Sequence, residues 1–383
     1  MMVTTCLSLT GGAETQVTNM AIGLSRRGWD VEIVTLLPLT PPLPDLRGAR
    51  VSVTSLEMGR GVSGLRGFQQ FLSVVRERRP DVVHSHMAHA SLLTRIARPF
   101  CSMPVLICTL HGHKMYSVKA GGAALREFAH RLTDGLADVT TAVSAAAGER
   151  YARIKAVSRQ RLMVIPNGIP DEAYTPNAET RQRERRSLNL RDEFVWLAVG
   201  RLEKVKDYDT MLRAFSIALQ ADVSQVLLIA GGGSLQSHLE ALAEELCIGS
   251  NVRFLGVCDR VPRLLQAADA LVLSSIFEGM PLAMLEAGAS GLPVVATRVG
   301  GNAEVLPPSQ RGLLAPARRP ISLGAAMRRL ACLSADERRA MGEESREFVL
   351  SRFGMDAILD QWEGLYSRLL VEKGITETVE VSG

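Results

Sequence analysis

Short apolar runs bounded by polar or glycine positions recur along the chain in two series. The first series contains Val3–Leu7, Val31–Leu37, Val82–His84, Val105–Thr109 and Val139–Val143, each the length of a buried strand. Stretches with helical spacing, such as Thr15–Arg27 and Gly67–Arg79, lie between them. This alternation predicts a parallel sheet with crossover helices. Leu162–Pro166, followed by Asn167-Gly168-Ile169-Pro170, closes the series. Residues 171–193 are polar, carry the run Arg181–Arg186 and read as an interdomain linker. The second series contains Phe194–Gly200, Val226–Ala230, Val252–Leu255, Ala270–Leu273 and Pro293–Thr297. Ser334–Leu370 reads as helices broken near Gly354. Its last part carries Ile358, Leu359, Trp362, Leu365, Tyr366 and Leu369 as an apolar stripe at helical spacing. The predicted divisions are therefore 1–170, the linker 171–193, 194–353, a terminal helix 354–370 and a frayed tail 371–383.

Composition agrees with two α/β domains. A chain of 383 residues is too long for one ordinary core. Hydrophobic residues at 46% with aromatics at only 5% suit buried parallel strands. No uncharged apolar run reaches the roughly 18 residues of a membrane span. No basic-then-apolar leader precedes the first polar turn, so a cytoplasmic location is expected. Cys6, Cys101, Cys108, Cys247, Cys258 and Cys332 show neither C-x-x-C nor metal spacing and read as buried thiols. The net charge of +4 is unevenly spread. Residues 1–193 hold 25 Lys and Arg against 17 Asp and Glu, a balance of +8, and residues 194–383 hold 19 against 23, a balance of −4. The basic half is expected to meet an anionic surface or acceptor.

The most informative stretch is Phe277-Glu278-Gly279-Met280-Pro281-Leu282-Ala283-Met284-Leu285-Glu286-Ala287. Pro281 suits the first turn of a helix, where its missing N–H is no loss. That puts Glu278 in the loop before the helix and Glu286 inside it. A helix start offers free N–H groups and a positive dipole end to phosphate. Two acceptor-only carboxylates flanking such a seat suit a ligand with hydroxyls on both sides of a diphosphate, which describes a nucleotide sugar.

In the context F-E-G-M-P-x-x-x-x-E-A, this Glu-x7-Glu resembles the signature of the retaining glycosyltransferases of family 4. The resemblance implies the α/β architecture called GT-B, with two Rossmann-like domains facing each other across a cleft. The terminal helix would cross back to pack on the first domain. Four further elements carry the resemblance over nearly the whole chain. Gly11-Gly12-Ala13-Glu14 follows the opening strand and is similar to the family's acceptor-side loop, with Gly12 also near the donor. The opening strand itself starts almost at Met1, earlier than in relatives. Thr109-Leu110-His111-Gly112 resembles the T-x-H-G motif, which makes His111 rather than His113 the expected contact to the transferred sugar. In Val199-Gly200-Arg201-Leu202-Glu203-Lys204-Val205-Lys206, two cations follow a strand end. Lys206 takes the family's catalytic lysine position, Arg201 joins it on the diphosphate, and Lys204 is expected in solvent. Ala230-Gly231-Gly232-Gly233-Ser234 gives a tight phosphate-side turn with Ser234 as a helix N-cap. Phe254-Leu255-Gly256 ends a strand where relatives hold the base through backbone contacts.

Asp207-Tyr208-Asp209 mimics a D-x-D metal motif, but Asp209 and Thr210 stand just before the helical run Met211–Leu219 and read as cap residues. No metal or other cofactor is expected, since cations take the leaving-group role. The resemblance implies transfer with retention from a nucleotide sugar, a UDP-sugar carrying a hexose or N-acetylhexosamine, to an acceptor hydroxyl. Glu286 would bind the ribose and Glu278 the sugar hydroxyls, with backbone at Gly279, Met280, Pro281 and Leu282 near sugar and diphosphate. Gly200, Gly231, Gly232 and Leu255 complete the donor list, and Gly11, Gly12, Glu14 and His111 the acceptor side. No facing carboxylates at glycosidase separation can be read, which favours front-face attack with the departing diphosphate taking the acceptor proton. The expected acceptor is a carbohydrate or lipid-linked molecule in cell-surface polysaccharide, lipopolysaccharide or glycolipid synthesis. The enzyme would be a monomer or weak oligomer without nucleic acid, peripheral on the inner membrane face. Arg60, Arg66, Arg76, Arg78, Arg79, Lys114, Lys119 and Arg126 are the candidates for that contact. Two alternatives are a sugar-nucleotide epimerase of the same fold and a non-catalytic nucleotide-sugar-binding subunit. Retention of both Lys206 and Glu286 argues against the second. A dehydrogenase lacks its G-x-G-x-x-G fingerprint.

Overall fold

The computed structural model describes residues 1–8, 11–39, 43, 46, 48–59, 62–112, 120–221 and 223–375. The chain forms two units, Met1–Gly168 together with the segment from Met355 on, and Ile169–Gly354.

The first unit is built on seven strands: β1 (Met2–Thr4), β2 (Val31–Thr35), β3 (Val51–Ser55), β4 (Val82–His86), β5 (Val105–Leu110), β6 (Val139–Ala142) and β7 (Leu162–Val164). All pair in parallel, in the order β3-β2-β1-β4-β5-β6-β7. Helices α1 (Gly12–Arg26), α2 (Val62–Arg78), α3 (Ala88–Ala97), α4 (Ala120–Thr133) and α5 (Ala145–Arg153) make the connections. Central strands such as β5 are buried along their whole length, hence the continuous apolar runs. The polar-alternating β3 lies at the edge and is only partly buried, which is why periodicity alone missed it.

The second unit has six parallel strands: β8 (Phe194–Val199), β9 (Gln225–Ala230), β10 (Val252–Gly256), β11 (Ala270–Leu273), β12 (Val294–Thr297) and β13 (Leu314–Ala315). Their order is β10-β9-β8-β11-β12-β13. The helices are α6 (Ala178–Ser187), α7 (Tyr208–Ala218), α8 (Gln236–Glu245), α9 (Val261–Ala267), α10 (Leu282–Ala289), α11 (Asn302–Val305), α12 (Pro320–Ala331) and α13 (Ala335–Phe353). A capping box starts α13, where Ser334 and Glu337 exchange side-chain and backbone hydrogen bonds.

The last helix, α14 (Met355–Glu372), belongs to the first unit. Its stripe of Ile358, Leu359, Trp362, Leu365, Tyr366, Leu369 and Leu370 is buried in one core with Val17, Met20 and Leu24 of α1 and Ile33, Val105 and Ile107 of the sheet. Arg27 ties its outer edge, reaching Asp360 and Glu363 at 2.6 Å and Asp356 at 3.0 Å.

Several expectations need correction. Residues 171–193 are not a free linker. They contain α6, and Arg181 and Arg185 clamp it to Asp269 at 2.6 and 3.2 Å while donating to the carbonyls of Ala267 and Ala268. The run is polar because it meets carboxylate and carbonyl oxygens of its own unit. The tail is ordered further than expected, since α14 continues to Glu372 and Ile375 packs on the core. Residues 376–383 lie outside the described residues. Of the cysteines expected to be buried, only Cys108 is fully so, and Cys247 and Cys332 are exposed. Among the described residues no helix is long and apolar enough to cross a membrane.

Candidate active site

In the second unit, connections from β8 and β11 leave toward opposite ends of the sheet although the two strands are neighbours. A crevice opens at the carboxyl ends of strands where an α/β sheet reverses in this way. The loop after β8 brings Gly200, Arg201 and Lys206 there, and the loop after β11 brings Ser275 and Glu278. Lys206 Nζ donates to Glu278 Oε1 at 2.6 Å, with the two side chains 19% and 12% exposed. Ser275 Oγ donates to the same oxygen at 2.6 Å. The loops are also tied through backbone, Ile276 N to Val205 O at 2.9 Å and Ser274 Oγ to Lys206 O at 2.7 Å. One of the three ammonium donors of Lys206 is thus used by Glu278, which leaves two for a ligand. Arg201 is exposed and forms no side-chain hydrogen bond among the described residues, and Lys204 is exposed as expected.

Glycine makes this edge possible. A Cβ on Gly231, whose φ is +151°, would stand 2.0 Å from Gly200 O, so the turns after β8 and β9 touch backbone to backbone. Gly232 O accepts from Leu202 N at 2.9 Å, and Gly256 O, just past half-buried Leu255, accepts from Gly231 N at 2.8 Å. On the other side Gly300 (φ +47°) lies against Glu278, where a Cβ would come within 1.8 Å of its carbonyl oxygen. Gly301 N donates to Gly279 O at 3.0 Å. Sequence reasoning overlooked this Val299-Gly300-Gly301 turn, although a Gly-Gly pair after an apolar strand is the same signal read at Gly231-Gly232.

Pro281 occupies the N-cap position of α10 rather than its first turn, and Glu286 is the fifth residue of the helix. Met280 and Leu282 are buried in the unit's interior. Glu286 accepts a hydrogen bond from Tyr174 Oη at 3.0 Å, a partner that sequence spacing could not reveal across 112 positions. Desolvation pushes the half-buried Glu286 carboxyl up to about 7.

Two cap assignments fail. Leu235, not Ser234, precedes α8, and Ser234 instead donates its hydroxyl to Glu203 at 3.1 Å. Asp209 lies in the first turn of α7 and meets His238 Nε2 at 2.7 Å, while Asp207 holds the N-cap position and accepts from Thr210 Oγ1 at 2.8 Å. The Asp207 and Asp209 side chains therefore serve separate contacts.

The remaining candidates lie in the first unit, whose own sheet reverses between β1 and β4. Gly11 caps α1, Gly12 is its first residue, and the Glu14 carboxylate folds back over Gly11, where a Cβ would sit 1.9 Å from it. Cys6 Sγ donates to Glu14 Oε1 at 3.1 Å. His111 follows β5, with its Nε2 3.0 Å from His86 Nδ1. Burial holds the His111 imidazole down at about 4 and His86 and His84 well below the usual histidine range. His111 is therefore neutral at pH 7 and suited to a hydroxyl rather than to a phosphate. His86 was overlooked, although His84 and His86 two residues apart on one strand must share a face. His113, Arg60, Lys114 and Lys119 lie outside the described residues.

Residues 11–168 match the family described as Glycosyl transferase 4-like domain, and residues 180–348 match Glycosyl transferases group 1. The UDP-Gal:alpha-D-GlcNAc-diphosphoundecaprenol alpha-1,3-galactosyltransferase of Escherichia coli is 29% identical over 257 residues, which span 63% of this chain and 65% of that protein. The N-acetyl-alpha-D-glucosaminyl L-malate synthase of Bacillus anthracis is 27% identical over 375 residues, 96% of each. The solved sucrose-phosphate synthase of Thermosynechococcus elongatus superposes with a TM-score of 0.83 at 24% identity, over 97% of this chain and 99% of that one. That likeness concerns the fold, which is GT-B with two Rossmann-like domains.

The raised Glu286 gives a stability signature. Its folded value of about 7 exceeds the ordinary 4.5, so between those pH values the folded chain holds a proton that the unfolded chain releases. Stability contributed by this group is present below pH 4.5 and is lost as pH rises to 7. Glu286→Gln removes the titration. The variant should therefore gain on the parent in urea unfolding as pH rises through this window, with the difference level above it. A difference independent of pH would contradict the desolvated, raised carboxyl.

Proposed function

Because this chain is a glycosyltransferase of the group 1 family, with a family 4-like first domain, we propose that it moves a sugar from a UDP-sugar to an acceptor hydroxyl with retention. The observation that carries the reading is the Lys206–Glu278 pair at the reversal of the second sheet, with Glu286 eight positions further on in α10. Glu286 accepts the ribose hydroxyls, which favours its charged form. Lys206 directs its two remaining N–H donors, and Arg201 its guanidinium, at the diphosphate, while Gly200, Gly231 and Gly232 let backbone approach and Leu255 flanks the base. Glu278 orients Lys206 with one oxygen and offers the other to a sugar hydroxyl. Neutral His111 meets the transferred sugar by hydrogen bond, and Gly11, Gly12 and Glu14 frame the acceptor. The acceptor oxygen attacks the anomeric carbon from the face the diphosphate leaves, and the departing phosphate oxygen takes its proton. Charge grows on that phosphate in the transition state, and fixed cations stabilise it without a metal ion. A UDP donor and a lipid diphosphate acceptor are supported by the name of the Escherichia coli relative.

A lipid-linked acceptor requires approach to a membrane, and exposed apolar residues of the first unit support that reading. Leu125, Phe128 and Leu132 recur along α4 and are 69%, 55% and 67% exposed, with Arg126 and Arg131 beside them. Exposed Phe100 and Leu65, together with Arg66, Arg76 and Arg79, stand on the neighbouring α2–α3 region. Arg78 is partly engaged by Glu32 at 3.4 Å. Apolar side chains rimmed by arginines fit an anionic bilayer surface.

Two measurements test this reading. Lys206→Ala should lower turnover at saturating donor by roughly a hundredfold or more, with donor binding less affected and activity surviving EDTA. Turnover unchanged in the variant would remove Lys206 from the chemistry, and strict Mn²⁺ or Mg²⁺ dependence would overturn the metal-free mechanism. In sedimentation with phosphatidylglycerol vesicles, the parent should bind at low salt and be released as salt is added. Phe128→Glu should abolish that binding while leaving activity on a soluble acceptor intact. Absence of vesicle binding at low salt would remove the membrane from the account.

A further inference from the structure

His84 and His86 share one face of β4, and β5 beside it is followed directly by His111. His84 is fully committed: its Nδ1 lies 2.7 Å from Tyr366 Oη of α14 and its Nε2 2.6 Å from Thr109 Oγ1. Thr109 Oγ1 is in turn 2.6 Å from Thr141 Oγ1. The His84 ring lies 4.5 Å from Trp362, so the terminal helix holds it in place. His86 packs on it with ring centroids 4.0 Å apart, and only then meets His111, Nδ1 to Nε2, at 3.0 Å. Among the described residues, two buried ring nitrogens of the pair have no hydrogen-bond partner, His86 Nε2 and His111 Nδ1. A buried polar atom without a partner calls for an explanation, and a reserved ligand contact is one.

We propose that His86 is a positioning residue for His111: their shared hydrogen bond consumes His111 Nε2, locks its ring and leaves Nδ1 as the only ring nitrogen available to a sugar hydroxyl. The inference rests on the reading of His111 as a sugar contact. Proton counting makes it specific. Two neutral rings carry one proton each, and the shared bond holds one of them. If that proton sits on His86 Nδ1, His111 must carry its own on Nδ1. If it sits on His111 Nε2, His86 carries its own on Nε2. Both rings are then always in the same tautomer. The neutral state of all three rings, which burial favours, is what the arrangement needs. Tyr366, Trp362 and His84 thereby connect the last helix to the orientation of a site residue.

The test is ¹⁵N NMR of histidine-labelled full chain at pH 7 without ligand, which distinguishes imidazolium and the two neutral tautomers. His86 and His111 should both be neutral and in the same tautomer. His86→Phe keeps the ring packing but removes the bond, and His111 should revert to the tautomer mixture of a free imidazole. His86→Asn, whose amide reaches the place of Nδ1, should keep His111 in one tautomer. Opposite tautomers in the parent, a charged ring, or an unchanged His111 signal in a folded His86→Phe variant would each overturn the proposal. If His86→Phe does not fold, the parent spectrum alone decides. Calorimetry of His111→Ala with UDP-glucose, UDP-galactose and UDP-N-acetylglucosamine separates the two readings. Parental affinity for all three would sink the sugar contact of His111 while leaving the tautomer pairing intact.

Discussion

The ion pair between Lys206 and Glu278 is the constraint around which the second unit is arranged. It joins two loops 72 residues apart that meet only because β8 and β11 are neighbours whose connections diverge. Each partner is held from behind: Ser275 and the Gly300–Gly301 turn fix Glu278, and Ser274 fixes the backbone of Lys206. A partly buried cation with one donor neutralised and two left over is prepared for anionic oxygens without being an isolated buried charge. Glu286 contributes the opposite property. Desolvation raises its carboxyl to about 7, so it exchanges its proton near neutral pH.

The first unit supplies a different chemistry. Its corresponding sheet reversal presents Gly11, Glu14 and His111, and the histidine is neutral because burial disfavours its charge. On the proposed reading, a sugar hydroxyl is met by a neutral ring and a leaving diphosphate by cations, and these two kinds of residue belong to different units. The terminal helix α14 is part of this logic, since its Tyr366 and Trp362 pack against the histidine-bearing face of β4.

Much of this could be read from the chain. Buried parallel strands are rich in apolar residues, so β1, β2, β4 to β6, β8, β9, β11 and β12 stood out, as did the partly buried edge strand β10 with Val252, Phe254 and Leu255. Glu278, Glu286 and Lys206 were singled out because they stand in local patterns of glycine, proline and charge that resemble a known family's motifs, and the structure brings Lys206 and Glu278 together. What escaped depends on partners distant in sequence. The arginines of α6 read as part of a linker because their partner Asp269 lies some 85 positions away. Tyr174 shows no sign in its own neighbourhood that it meets Glu286, and Ser234 looked like a cap until Glu203 claimed its hydroxyl. The short strands β3 and β13 lack the apolar content that marks buried ones, the first being an edge strand and the second two residues long.

The most direct test of the central claim is a crystal structure of the chain with UDP. Ribose hydroxyls should lie within hydrogen-bond distance of Glu286 and diphosphate oxygens on Lys206, whose link to Glu278 persists. Nucleotide bound away from the carboxyl ends of β8 and β11, or phosphates that leave Lys206 untouched, would contradict it.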